Sequence, residues 1–254
     1  MGGLECGPLR ARGRLHVGGA PSAGGAELVV PAQPSGDHRP SERRAHLGVG
    51  TVCASVNEQR EFFDRLAPGW DAAERPDIGE RLERVVREAG IAPGMRVLDV
   101  GCGTGVIIPF LLNALQGTGG VTAVDISPGM LEVARGKGFP DCVRFVLADV
   151  TEADFADASF DCAVLNAVFP HFEDAAGALA NIRRMLVSGG ILCISHPVGR
   201  EAVNRVHREA SGVVNGDIVP GPAEMSAILT ACGFVSVSVT DEPEFYLALA
   251  RKPL

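Results

Sequence analysis

Aromatic residues are scarce in this chain of 254 residues: one Trp, one Tyr and 11 Phe make up 5% of it. Long apolar runs are missing as well. The longest candidate, Val106 to Leu115, is broken by Pro109 and Asn113 and is too short to cross a bilayer, which takes roughly 20 apolar residues in a helix. The expectation is a protein with no membrane partner. Paired cysteines are absent too. The seven Cys stand at 6, 53, 102, 142, 162, 193 and 232, odd in number and with no C-x-x-C spacing, which argues against a disulfide or metal framework. Cys162 and Cys193 lie in apolar stretches, as small buried thiols do in a reducing, cytoplasmic compartment. Positive charge is the last shortage. Formal net charge is -8; residues 1–50 hold six Lys/Arg against four Asp/Glu, so the rest carries 17 against 27, or -10. Binding a phosphate backbone needs Lys and Arg, so the charge argues against a nucleic-acid partner, while a small molecule of either sign stays open.

Glycine is what the first 50 residues have in plenty: eleven, with five prolines and no apolar periodicity beyond Leu28-Val29-Val30. They read as a disordered leader. Arg10, Arg12 and Arg14 invite a transit-peptide reading that the Gly-rich, Ser-poor composition opposes. Cys6 stands where a myristoylation signal has Ser or Thr. The expected organisation is a leader over 1–50 and one folded domain over 51–254.

From Val56 the pattern changes. V-N-E-Q-R-E-F-F-D-R-L and I-G-E-R-L-E-R-V-V-R-E-A-G space apolar residues at helical intervals, the second stopped by Gly90. Strands then read at 95–100, 121–125, 143–148, 160–166 and 190–195, and helices near 104–115, 128–136, 174–187 and 223–232. Such alternation implies βαβ units and an α/β fold, a doubly wound Rossmann-like sheet that is mostly parallel. F-V-S-V-S-V-T and E-F-Y-L-A-L-A, joined by D-E-P, add an antiparallel hairpin at the sheet's C-terminal edge.

Between the first strand and its helix runs V-L-D-V-G-C-G-T-G, Val97 to Gly105. Glycines there let a ligand approach the backbone. The nicotinamide fingerprint G-x-G-x-x-G puts its third glycine one residue later than Gly105, and Asp99 would face a pyrophosphate unfavourably. An acid there suits an ammonium or a sulfonium. Asp125 ends the second strand where a carboxylate can accept from ribose hydroxyls, Asp149 ends the third where it can accept from an adenine amino group, and Asn166 ends the fourth. Ligands of open α/β sheets bind across the carboxyl ends of the strands, so these positions converge. The plainer alternative has each acid capping the next helix.

These residues resemble the class I S-adenosylmethionine-dependent methyltransferases over roughly 57–252. The resemblance rests on V-L-D-V-G-C-G-T-G, V-D-I-S-P-G-M-L-E-V-A-R, A-D-V, F-D-C-A-V-L-N and R-R-M-L-V-S-G-G-I-L, with the closing hairpin. It implies a seven-stranded sheet with one reversed strand and S-adenosyl-L-methionine as cofactor. Asp99, Gly101, Cys102, Gly103 and Gly105 would hold its methionine end, Asp125 and Ile126 its ribose, Asp149 and Val150 its adenine, with Asn166 below the reacting centre. F-F-D-R-L-A-P-G-W-D looks like the N-terminal cover helix of the ubiquinone/menaquinone C-methyltransferase-like branch. There Phe62, Phe63 and Trp70 either close on the cofactor or pack on the sheet.

Methyl transfer from a sulfonium needs alignment, exclusion of water and, for some acceptors, a base. His196 at the end of the fifth strand is the first candidate, ahead of His171 in N-A-V-F-P-H-F and His207 in R-E-A-V-N-R-V-H-R-E. The three imidazoles are also compatible with structural roles or with a metal; no metal is expected. Residues 198–222 read as a substrate-cover insert or as a solvated helix with a loop. The chain has N-A-V-F where N-P-P-Y would mark an amino-group acceptor, so a small-molecule acceptor is preferred. A non-catalytic cofactor-binding module and a nicotinamide-dependent oxidoreductase are the rival readings.

Overall fold

The computed structural model describes residues 55–210 and 212–254; the expected leader lies outside them. A capping box opens the first helix. The Ser55 hydroxyl accepts from the Glu58 N–H, and the Glu58 carboxylate accepts from the Ser55 N–H at 2.9 Å. The elements in chain order are α1 (Val56–Leu66), α2 (Ile78–Glu88), β1 (Arg96–Val100), α3 (Ile108–Leu115), β2 (Gly120–Asp125), α4 (Pro128–Gly136), β3 (Val143–Leu147), β4 (Phe160–Asn166), α5 (Ala175–Met185), β5 (Leu186–His196), α6 (Arg200–Glu209), α7 (Pro222–Ala231), β6 (Val235–Glu242) and β7 (Phe245–Arg251).

The seven strands form one sheet in the order β3-β2-β1-β4-β5-β7-β6. Strands β1 to β5 run parallel. β7 is antiparallel to both of its neighbours, so the reversed strand lies one place in from the edge and β6 is outermost. Strand order reverses beside β1, where β2 lies on one side and β4 on the other. That switch point is where open α/β sheets bind ligands.

The two-residue period of a strand sends alternate side chains into separate layers. In β1 and β4, Leu98, Val100, Ala163 and Leu165 pack toward Leu179 and Ile182 of α5. Val97, Cys162 and Val164 pack on the other face with Val85 of α2 and Leu111 of α3. Each fully buried Leu or Ile contributes roughly 1.5–3 kcal/mol, so the two layers hold the strand ends rigidly. By the same alternation Asp99 lies on the face of Val97.

Three expectations are corrected. The helix after the glycine turn starts at Ile108, not near 104, because Gly103 and Gly105 have φ of +52° and +81°, which no right-handed helix contains. The fifth helix ends at Met185, since Leu186 is extended (ψ 145°) and pairs with Phe160, so β5 begins four residues before 190. The cysteines read as free thiols are so at 102, 162, 193 and 232, but Cys142 is disulfide-bonded. No helix among the described residues is long and apolar enough to cross a membrane.

Candidate active site

A cleft of about 800 Å³ opens at the carboxyl ends of β1, β2 and β4, within the range of roughly 300–1,000 Å³ usual for small ligands. Its floor is the glycine turn, and each glycine serves differently. Gly101, at φ +63°, leaves no room for a Cβ, which would collide with Val168. Gly103 has open space where a Cβ would stand, so it keeps the floor bare. A Cβ on Gly105 would come within 3.0 Å of Ile108 and 3.1 Å of Phe139. Gly105 therefore serves packing and, unlike the other two, does not line the cleft.

Asp99 borders the cleft yet is only 1% exposed, and neither carboxylate oxygen has a hydrogen-bond partner among the described residues. Burial first, and the charge of Asp125 second, push its pKa up to about 8. Asp125 is better provided. Its carboxylate accepts from the Gly103 N–H at 2.7 Å and the Ser127 N–H at 2.8 Å; burial raises its pKa and these bonds oppose the rise. Asp149 accepts from the Thr151 N–H at 2.8 Å, and the Asn166 side-chain oxygen accepts from the Ser195 hydroxyl at 2.9 Å. The capping alternative does not hold for Asp125 or Asp149, since Ser127 caps α4 and β4 follows Asp149 before any helix among the described residues; both border the cleft, as do Cys102, Ile126, Val150 and Asn166.

Helix α1 and the turns after it form the cover. Asp64 accepts from the Ser127 hydroxyl at 2.6 Å and the Gly129 N–H at 2.8 Å, at the positive N-terminal end of α4. Asp71 accepts from the Thr104 hydroxyl and pairs with Lys137 at 2.6 Å. The cover is thereby tied to both the glycine turn and α4. Phe63 and Trp70, 6.0 Å apart between ring centroids, border the cleft; Phe62 is buried beside Phe63 and borders a second chamber instead.

That second chamber, of about 160 Å³, shares Phe63, Trp70, Glu74, Asn166 and His171 with the cleft. All three candidate histidines border it. His171 Nδ1 lies 2.6 Å from a carboxylate oxygen of Asp217, which is 2% exposed, so the N–H on Nδ1 donates to it. His207 Nδ1 lies 2.8 Å from the Asp217 backbone oxygen, and burial lowers the pKa of His207. His196 is 1% exposed, both of its ring nitrogens lack a partner among the described residues, and burial lowers its pKa to about 3. No group of three or more His, Cys, Asp or Glu among the described residues is arranged to hold a metal ion.

Comparisons with known proteins bear on what this geometry is for. The family model described as a methyltransferase domain matches residues 98–194. An Aspergillus nomiae protein, O-methyltransferase rstn1, is 31% identical over 187 residues, which are 68% of this chain and 80% of that protein. The chain belongs to the class I S-adenosylmethionine-dependent methyltransferases. A Staphylococcus aureus demethylmenaquinone methyltransferase is 37% identical over 114 residues, 44% of this chain and 47% of that protein. A solved Aquifex aeolicus S-adenosylmethionine-dependent methyltransferase matches in fold with a TM-score of 0.60 at 22% identity, covering 76% of this chain and 98% of that one. The chain spans about half the length of the first curated relatives it matches.

S-adenosylmethionine is the cofactor of this class I methyltransferase, and the cleft's chemistry fits it. A buried carboxyl without a partner, beside a floor of bare backbone, suits an amino acid's ammonium and no phosphate. Two partners of the site escaped sequence reading. Asp217 lies 46 residues from His171, inside segment 198–222, whose pattern reads as a substrate cover or a solvated helix with a loop and gives this residue no role. Gln59, buried on α1 with an unpartnered side-chain nitrogen, also borders the cleft; a polar residue recurring with the apolar face of that helix was the available signal.

Proposed function

We propose that this methyltransferase moves a methyl group to a small-molecule acceptor bound in the second chamber, with His171 as general base and Asp217 as the group that orients it. The observation that carries this reading is the 2.6 Å His171–Asp217 contact at the junction of cleft and chamber. The order of the candidate bases is thereby reversed from the sequence reading. His196 holds a proton too weakly, with its pKa near 3, to be the better base at neutral pH. The Staphylococcus aureus relative's name refers to a small-molecule acceptor, which supports the substrate class.

In this reading Asp99 pairs with the cofactor's ammonium, Gly101, Cys102 and Gly103 give its methionine end room, Asp125 and Ile126 border the ribose, and Asp149 and Val150 the adenine. S-adenosylmethionine when bound supplies a methyl group activated by a sulfonium. His171 Nε2 would take the proton that the acceptor's hydroxyl loses when the bound cofactor supplies its methyl group. Asp217 balances the imidazolium that forms and keeps Nε2 facing the work, the role a buried carboxylate has beside a catalytic histidine. Segment 198–222 acts as the acceptor's cover, since Val198, Val203, Val206, His207 and Val214 border the chamber. A cytoplasmic setting and a single domain from residue 51 onward belong to the same proposal.

The test is transfer of labelled methyl from S-adenosylmethionine to a panel of small phenols by the wild-type chain and His171→Gln. Transfer that drops about 100-fold or more in the variant supports the base assignment; equal rates remove it.

A further inference from the structure

The chamber's polar inventory says more about the acceptor than its position does. Its polar side chains are Trp70, Glu74, Asn166, His171, His196 and His207. Burial raises the pKa of Glu74 and the Trp70 indole N–H facing its carboxyl lowers it, Asn166 holds Ser195, and His171 and His207 both hold Asp217. Tyr246, whose ring lies 6.0 Å from that of His196, gives its hydroxyl to the Pro220 backbone oxygen. Only His196 among these has no partner among the described residues. Its position is fixed, because it closes β5 in register with Tyr246. A neutral imidazole offers one donor and one acceptor, and leaving both unmet in a buried site is costly.

Charge narrows the field further. No Lys or Arg is among the described residues that line the chamber, and its one carboxyl belongs to Glu74. An anion entering it would lose water and meet no Lys or Arg among those residues. Volume sets the size: about 160 Å³ corresponds to roughly five liquid waters, room for one compact ring with small substituents. The remaining walls are apolar, with Phe62, Phe63, Leu66, Leu82 and Val203 among them.

We propose that the acceptor is a neutral, compact, mainly apolar ring compound carrying two polar groups: the hydroxyl that is methylated, and a second, uncharged group that hydrogen-bonds His196. His196 is thus a specificity residue. The inference rests on the reading of the second chamber as the acceptor site, and it excludes carboxylates and phosphates of the same size.

Three probes of one shape test it: 3-hydroxyacetophenone, 3-ethylphenol and 3-hydroxybenzoate. Each is titrated calorimetrically into the full chain saturated with S-adenosylhomocysteine. The ketone is expected to bind about tenfold more tightly than the ethyl compound and at least as far ahead of the carboxylate. His196→Phe should erase the advantage over the ethyl compound, and His196→Gln, which keeps a donor and an acceptor, should restore part of it. A carboxylate that binds as well as the ketone overturns the proposal on the wild-type chain alone. So does an unchanged ketone-to-ethyl ratio in a folded His196→Phe, or silence from all three probes. Labelled-methyl transfer from S-adenosylmethionine to the same three probes, in separate samples free of S-adenosylhomocysteine, separates the two readings. Selective binding with transfer indifferent to His171→Gln removes the base and leaves the selectivity, whereas unselective binding with transfer that needs His171 does the opposite.

Discussion

His171 Nδ1 and Asp217 Oδ2 stand 2.6 Å apart although 46 residues separate them in the chain. One comes from the turn after β4, the other from the loop after α6, and β5 with its helix carries the chain between them. The contact joins the loop after α6 to the turn that borders both the cleft and the second chamber.

Asp217→Asn tests that contact. The amide keeps the shape but accepts one hydrogen bond in place of an ionic one, so the His171 tautomer is no longer fixed. The expected result is a kcat lower by about 100-fold, with cofactor affinity changed by less than about twofold, since Asp217 does not line the cleft. Steady-state rates and calorimetry on the same preparation report both.

Asp99 gives the site a pH signature. In the free protein its pKa is raised to about 8, so below that pH a proton must leave before the carboxylate can meet an ammonium. Affinity for S-adenosylhomocysteine should therefore rise up to about tenfold per pH unit toward 8. At higher pH the ligand's own amino group loses its proton, and affinity should fall again. Calorimetric titrations from pH 6 to 9.5 would show the maximum, and Asp99→Asn should lack the acid limb.

The same carboxyl bears on stability with a definite sign. Because its folded pKa lies above the ordinary 3.8, its contribution is fully present below 3.8 and is lost as pH rises to about 8. Without ligand, Tm of Asp99→Asn should fall less than that of the wild type between pH 5 and 9. Thermal unfolding monitored by circular dichroism measures it.

The glycines of the turn should separate by function. Gly101→Ala, with its Cβ driven into Val168, should lower stability by more than the roughly 1–2 kcal/mol that the left-handed backbone alone costs a residue with a Cβ. Gly103→Ala meets no atom within 4 Å. It should lose only the roughly 1–2 kcal/mol that its own left-handed backbone (φ +52°) costs, less than Gly101→Ala, and bind S-adenosylmethionine poorly. Melting curves paired with cofactor titration distinguish the two.

The fold was legible because its signals are local. Strand β1 ends in a glycine turn, β2 in Asp125 and β4 in Asn166, and each boundary is written within ten residues. The cofactor cleft shared that advantage, since Asp99, Asp125 and Asp149 all sit at strand ends. Gly105 was misjudged because spacing tells that a residue lacks a Cβ and not which neighbour would meet one; here it is Ile108 and Phe139. The acceptor side was hardest. His171, His196 and His207 are gathered in one chamber by long-range packing, and only their partners tell them apart. Asp217 serves two of them, the third has none, and no sequence spacing reports that.

The most direct measurement is calorimetric titration of the full chain with S-adenosylmethionine, wild type against Asp99→Asn. The account predicts one-to-one saturable binding by the wild type and a loss of roughly 10–100-fold in the variant, the share of a charge-assisted hydrogen bond. Equal affinity in the two, or no binding by a folded wild-type sample, would contradict it.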